Sequence, residues 1–234
     1  MILSWRTSST GVLLSGYQTK NVGGDDMQQE MLTIFDQSMV PQGVCSRAEV
    51  HQQGYWHETF HCWFVQATPH PSLFLQLRSP QKDAFPNTLD VTAAGHLLAT
   101  ETPRDGVREI VEEIGIAVVF ENLYAVGIQV EEHYFPHMIN REFCHVYLYH
   151  YAGTLADFTL QEEEVAGMIQ VSLADFAQLV TDEREEIVGC GYCIEGGQRQ
   201  FYEHLPLRKE RFCDHSVAYF RALIEHCQTF LRTQ

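Results

Sequence analysis

Positive charge is scarce in this 234-residue chain: 15 lysines and arginines stand against 31 aspartates and glutamates, giving a formal net charge of −16 at pH 7. Binding to nucleic acid or to an anionic membrane surface depends on lysine and arginine displacing counterions, so neither is an expected partner. Long apolar runs are missing too. None approaches the ~20 residues of a membrane-spanning helix, and "GVLL" near the N-terminus falls short of a signal-peptide core, so the expected compartment is the cytoplasm. The seven cysteines run from Cys45 to Cys227 without the density or spacing of a disulfide scaffold, and reduced, partly buried thiols are expected. Cys190 and Cys193 form a single C-x-x-C with no second pair at zinc-finger spacing; only nearby His204 keeps a metal reading open there. Internal repeats and low-complexity segments are absent.

What the chain does contain is a 45% hydrophobic composition, enough for one substantial core. Residues 1–30 are polar and aperiodic and are read as an extension. A globular domain is expected over 31–185, followed by a C-terminal segment, 186–234, that ends in a helix packed on the domain. "FHCWFVQ" and "SLFLQLRS" read as strands joined by the proline-bearing turn "ATPHPS", and "LDVTAAGHLL" as a third strand. Further strand is expected in "AVVFENLYAVGIQV", "REFCHVYLYHY" and "GMIQV". "SLADFAQLV" reads as a helix capped by Ser172 with Asp175, and "SVAYFRALIEHCQTFL" has helical spacing. Strands interspersed with a few helices indicate a mixed sheet with helices packed against it, an α/β fold.

One helix raises an electrostatic problem. In "GVREIVEEIGI", at 100° per residue, Glu109, Glu112 and Glu113 share one narrow arc, and Val107, Ile110, Val111 and Ile114 fill the opposite one. Like charges at such spacing repel by a few tenths of a kcal/mol per pair, and the last two acids fall near the helix C-terminus, where the macrodipole disfavours anions. The bland account is a solvated acidic face with an Arg108–Glu112 pair. The chemical one is a hard divalent cation, because magnesium and manganese take oxygen ligands from carboxylates and substrate phosphates. The helix is predicted to start with Thr102 as N-cap, Pro103 in the first turn and Asp105 completing a capping box, and to stop at Gly115.

The longer segment "GHLLATETPRDGVREIVEEIGI" resembles the signature of the Nudix hydrolase family, G-x5-E-x7-R-E-U-x-E-E-x-G-U with U aliphatic. Gly95, Glu101, Arg108, Glu109, Ile110, Glu112, Glu113, Gly115 and Ile116 all have counterparts. Six residues rather than seven separate Glu101 from Arg108. "GYWHETFHCWFVQ", "RSPQKDAFPNTLDVTAAGH" and "EEEVAGMIQVSLADF" resemble the flanking segments in the branch of the family close to isopentenyl-diphosphate isomerases. The resemblance implies a Nudix α/β/α sandwich with a mixed sheet, and a MutT-like, Mg²⁺- or Mn²⁺-dependent hydrolase. Its expected substrate is a small molecule carrying a diphosphate linkage, such as a nucleoside diphosphate joined to another moiety. Glu109, Glu112 and Glu113 would then hold the metal with the Gly95 carbonyl, and Arg108 would orient Glu109, a base for water. Glu101 and Glu162–Glu164 stay open as alternative bases. Arg78 and Lys82, in "LRSPQKDAFPN", are candidate phosphate ligands in an otherwise anionic protein.

Two further readings are weighed. H-E-x-x-H at His57, Glu58 and His61 is the zinc-protease motif, which needs a helix, but it runs directly into the strand-forming "CWFVQ". The isomerase resemblance matches His57 to a metal-binding histidine of those enzymes, with His51 near another, and assigns substrate-site roles to His96 and Glu142. Ala94, however, stands where those enzymes place a catalytic cysteine, and Asn140 replaces a glutamate. Alanine can move no proton. The isomerase and a non-catalytic metabolite-binding module are thus the alternatives to hydrolysis. A homodimer is an admissible assembly for a sheet protein of this size.

Overall fold

The structure is a computed structural model that describes residues 30–233. The expected N-terminal extension therefore lies, apart from Glu30, outside the described residues.

The core strand is β3, Trp56–Gln66, where alternate side chains enter two separate cores. Phe60, Cys62 and Phe64 pack with Ile110 and Ile114, whereas Trp63 and Val65 pack with Phe176, Leu179, Leu223 and Phe230. This two-sided burial explains the nearly continuous apolar run that the sequence shows there. It also fixes His57 and His61 on a strand, in agreement with the rejection of the zinc-protease motif.

Around β3 the sheet is built from β1 (Met31–Phe35), β2 (Pro41–Ser46), β4 (Ser72–Arg78), β5 (Leu89–Asp90), β6 (Ala93–His96), β7 (Tyr124–Phe135), β8 (Met138–His150), β9 (Val165–Ser172), β10 (Glu186–Glu195) and β11 (Gln198–Arg208). Among the described residues these make one eleven-stranded sheet, with a spine running β11-β10-β9-β4-β3-β1-β2. β3 and β8 pair in parallel and the other ladders are antiparallel, so the sheet is mixed as expected. Helix α2 (Val107–Ile114) covers one face; α3 (Leu173–Val180) and α4 (Val217–Leu231) cover the other. Helix α1 (Arg47–Gln53) packs at the β1–β2–β8 end. The result is an α/β/α layering.

Three expectations need correction. "LDVTAAGHLL" is not one strand but β5 and β6, because the sheet forks at Thr92. The Thr92 hydroxyl accepts from Phe64 N (2.8 Å) and donates to the Phe74 carbonyl, taking the place of ladder bonds between β3 and β4. Thr102 and Asp105 close a turn, with Thr102 N and Oγ1 donating to Asp105 Oδ2 at 2.9 and 2.7 Å. The helix itself starts at Val107 with Gly106 at its N-cap and no side-chain cap bond. Finally, "AVVFENLYAVGIQV" begins as a loop and a short 3₁₀ turn at Phe120–Asn122, and becomes strand only at Tyr124.

The C-terminal helix forms as expected, capped by Ser216, whose Oγ accepts from Tyr219 N at 3.1 Å. Ahead of it, β10 and β11 form a hairpin that extends the same sheet from β9.

Candidate active site

A cavity of about 480 Å³ brings together Arg78, Lys82, Gly95, His96, Arg108, Glu109, Glu112, Glu113 and Glu142; of the alternative bases Glu163 and Glu164 also line it, whereas Glu101, Glu162 and His57 do not. They arrive from different elements. β4 ends at Arg78, β6 delivers Gly95 and His96, α2 carries the arginine and the acids, and β8 supplies Glu142.

The acids of α2 differ sharply in environment. Glu113 is 4% exposed, and its Oε2 accepts from Ala94 N (3.0 Å) and from Gln76 Nε2 (3.1 Å). Burial pushes its pKa up to about 8, and neighbouring Glu109 adds to the effect. Glu109 is also largely buried, and burial lifts it to about 7 against the opposing pull of Arg108. Glu112 lies more open, with its side chain 53% exposed. The strand beneath is shaped to admit Glu109: a Cβ on Gly95 would stand 2.1 Å from Glu109 Cδ.

Arg108 organises this end of the cavity. Its Nε and Nη2 donate to the two oxygens of Glu101 at 2.6 and 2.9 Å, and Nη2 also reaches the His96 carbonyl at 3.0 Å. Nη1 contacts Glu109 at 2.7 Å and Glu112 at 3.0 Å. The shortened spacing between Glu101 and Arg108 thus does not separate them, since Glu101 also accepts from Leu98 N at 2.8 Å and is held in the loop against the helix.

The two basic candidates are engaged with acids. Arg78 Nη1 donates to Asp90 at 2.8 Å and its Nε to the Ala84 carbonyl at 3.1 Å; Lys82 pairs with Glu164. Both still line the cavity.

A second constellation lies along the same wall. His51, His57 and His96 have ring centroids 5.1 Å apart in every pairing, and the buried Nε2 atoms of His57 and His96 have no hydrogen-bond partner. Burial lowers the pKa of all three, which favours neutral imidazoles. Glu142 Oε1 stands 3.9 Å from His57 Nε2. Burial opposes ionisation of Glu142, but the nearby His57 and His61 hold it below the ordinary carboxylate range.

Sequence reasoning missed a third group. Asp90, His133, Cys213 and His215 also face the cavity. His215 is placed by the Ser216 cap of α4, and no spacing signal in the sequence links it to Asp90, 125 positions earlier, or to His133. Cys190 and Cys193, in contrast, lie three apart on β10, so their side chains leave opposite faces of the strand.

These features define a class: an α/β/α protein with a strongly polar cavity beside a helix that presents clustered carboxylates. A relative from Clostridium acetobutylicum, named as an uncharacterized Nudix hydrolase, is 36% identical over 199 residues, 85% of this chain and 97% of its own length. Nudix hydrolase 3 of Arabidopsis thaliana is 34% identical over 165 residues, 67% of this chain but only 21% of that longer protein. Among solved structures, a protein of Deinococcus radiodurans aligns over 65% of this chain and 90% of its own, at 18% identity and a TM-score of 0.49. No protein-family model matches the chain. The chain belongs to the Nudix hydrolase family.

Proposed function

We propose that this protein is a pyrophosphohydrolase that cleaves a diphosphate linkage in a small molecule with the help of Mg²⁺ or Mn²⁺. A nucleoside diphosphate joined to another moiety is the expected substrate class. The observation that carries the reading is the buried carboxylate of Glu113 and the largely buried one of Glu109 beside Gly95, where a side chain of any size would displace Glu109.

The residues fit a hard cation. All the donors are oxygens, and two of the acids are shielded from water, where their ionised forms are stabilised by a nearby positive charge. Glu109, Glu112, Glu113 and the Gly95 carbonyl would hold it. When bound, such a cation neutralises charge on the diphosphate and lowers the pKa of water. The chain's own contribution is positioning. Arg108 fixes Glu109, the assigned base, while Glu101, with both oxygens on Arg108, serves to steady that arginine. Arg78 and Lys82 border the space a phosphate would enter and supply positive charge to an anionic protein. Catalysis by such a site is chiefly electrostatic and geometric.

A second reading, isomerisation of isopentenyl diphosphate, draws support from the convergence of His51, His57 and His96 beside Glu142. Ala94 weighs against it, because no thiol is available at that position to carry a proton. The deciding experiment is a panel of diphosphate compounds, isopentenyl diphosphate included, incubated with wild type and Glu113→Gln, with and without Mg²⁺ or Mn²⁺. Metal-dependent release of phosphate products by wild type, lost in a folded Glu113→Gln, supports hydrolysis. Metal-independent turnover or an unimpaired variant overturns it. Rearranged product would establish the isomerase, and tight binding without products would establish a binding module.

A further inference from the structure

The C-terminal segment brings His215 into contact with two acidic positions far away in the sequence. His215 Nε2 lies 3.0 Å from Asp90 Oδ1, and a carboxylate can only accept, so Nε2 carries the proton and Nδ1 faces the other way. Nδ1 points towards Glu131 Oε2 at 3.5 Å and has no hydrogen-bond partner, although the His215 side chain is only 8% exposed. His133 Nε2 stands 3.7 Å from the same Glu131 oxygen, and the three ligand atoms all lie within 4.8 Å of one another. We infer that Glu131, His133 and His215 form a site for a zinc-like transition-metal dication, separate from the carboxylate cluster on α2.

The spacing supports this. With metal–ligand bonds of about 2.0–2.2 Å in a tetrahedron, neighbouring ligand atoms stand roughly 3.4 Å apart. The two contacts to Glu131, 3.5 and 3.7 Å, lie within a few tenths of an ångström of that separation, whereas a closed ion pair would be several tenths of an ångström shorter still. Looseness of the whole region does not explain the gap: Arg78 to Asp90 closes to 2.8 Å, and Ser216 Oγ and N reach Glu131 at 2.6 and 2.9 Å.

The surrounding bonds have the form expected around a metal. A ligating histidine usually donates its second ring N–H to a carboxylate, which fixes the ring, and Asp90 does this for His215. Glu131 is oriented by Ser216 in the same way. Two imidazoles and one carboxylate are a three-ligand set that leaves a fourth position open. His133 and His215 line the same cavity as the α2 carboxylates. In the metal-free protein Asp90 and Glu131 raise the pKa of His215 to about 9 against the effect of burial, so a metal must displace the Nδ1 proton; the competing arrangement keeps that proton and takes no metal.

Zinc counting on the full-length protein separates the two. Metal-free protein is equilibrated with Zn²⁺ against a chelator of known affinity, and bound zinc is measured for wild type, His133→Gln, Glu131→Gln and His57→Gln, with each melting temperature recorded. His133 is chosen because its partly exposed side chain leaves the fold least dependent on it, and His57→Gln accounts for zinc held by the other histidine cluster. The expected result is that His133→Gln and Glu131→Gln each weaken one zinc equivalent by at least ~100-fold while His57→Gln leaves that equivalent in place. Four-coordinate Co²⁺ absorption lost in both His133→Gln and Glu131→Gln but kept in His57→Gln would agree. Unchanged stoichiometry and affinity in a folded His133→Gln would overturn the site, as would wild type that takes up no zinc. Neither result depends on turnover, so the outcome stands apart from that of the hydrolase assay.

Discussion

A methyl group added at Gly95 would sit 2.1 Å from Glu109 Cδ, and the atom it meets is the end of a flexible side chain rather than backbone. The carboxylate can swing away, so Gly95→Ala should fold with a loss of only about 1 kcal/mol. It should nevertheless lower kcat by roughly 100-fold, because a displacement of an ångström at the reacting centre costs that much. Turnover measured beside a urea melt tests both halves. Arg108→Lys makes a related point. Lysine keeps the charge but cannot span both oxygens of Glu101, Glu109 and the His96 carbonyl at once. A kcat lowered roughly tenfold or more, with KM little changed, is the expected result. An unaltered kcat would mean that charge alone is needed there.

At the scale of elements, α2 depends on its stop more than on its start. Gly106 offers no side chain for capping, while Gly115 adopts φ 72°, and its N–H bonds back to the Val111 carbonyl at 3.0 Å. A Cβ at Gly115 would also press on Thr159 Cβ at 2.8 Å and its carbonyl at 2.9 Å. Left-handed strain and the clash together should make Gly115→Ala cost about 2–3 kcal/mol in equilibrium unfolding. Loss of less than half of that would show that the loop after α2 yields easily.

The same helix shows what the sequence could reveal. Its apolar arc holds for Ile110 and Ile114, but Val111 is 49% exposed and Glu113, from the acidic arc, is buried in its stead, because the helix leans its acidic edge onto the sheet at Gln76 and Ala94. Its Gly115 stop was legible because it is local, and the side-by-side acids pointed to the cavity. Its start was not, because Thr102 and Asp105 satisfy each other in a turn as well as they would in a helix cap. The hairpin of β10 and β11 has a local signal in its Gly-Gly pair: Gly196 and Gly197 both take positive φ, 59° and 74°, as the tightest hairpin turn requires. The fork at Thr92 and the reach of His215 to Asp90 had none, since both depend on strands meeting in three dimensions.

For the whole molecule, the question is whether the segment beyond Arg208 is an appendage or part of the core. Six side chains of α4 are buried: Tyr219, Phe220, Leu223, Ile224, Cys227 and Phe230. They share one core with Trp63 of β3 and Phe176 of α3, and Tyr219 OH accepts from Trp63 Nε1 at 2.9 Å. Burying Phe220, Leu223, Ile224 and Phe230 contributes about 1.5–3 kcal/mol each as an upper limit, so about 6–12 kcal/mol in all. That is comparable with the entire stability of an ordinary domain, about 5–15 kcal/mol. A chain ending at Arg208 should therefore lose its cooperative unfolding transition and expose Trp63 to solvent, as read by urea melts followed by tryptophan fluorescence. Restoring the missing piece as a separate peptide should not rescue it at micromolar concentration, because an isolated 15-residue helix is marginal in water and must also be ordered on docking. A truncated protein that melts cooperatively near the wild-type midpoint would show instead that the sheet and the helices α2 and α3 suffice, with α4 as a lid on a finished core.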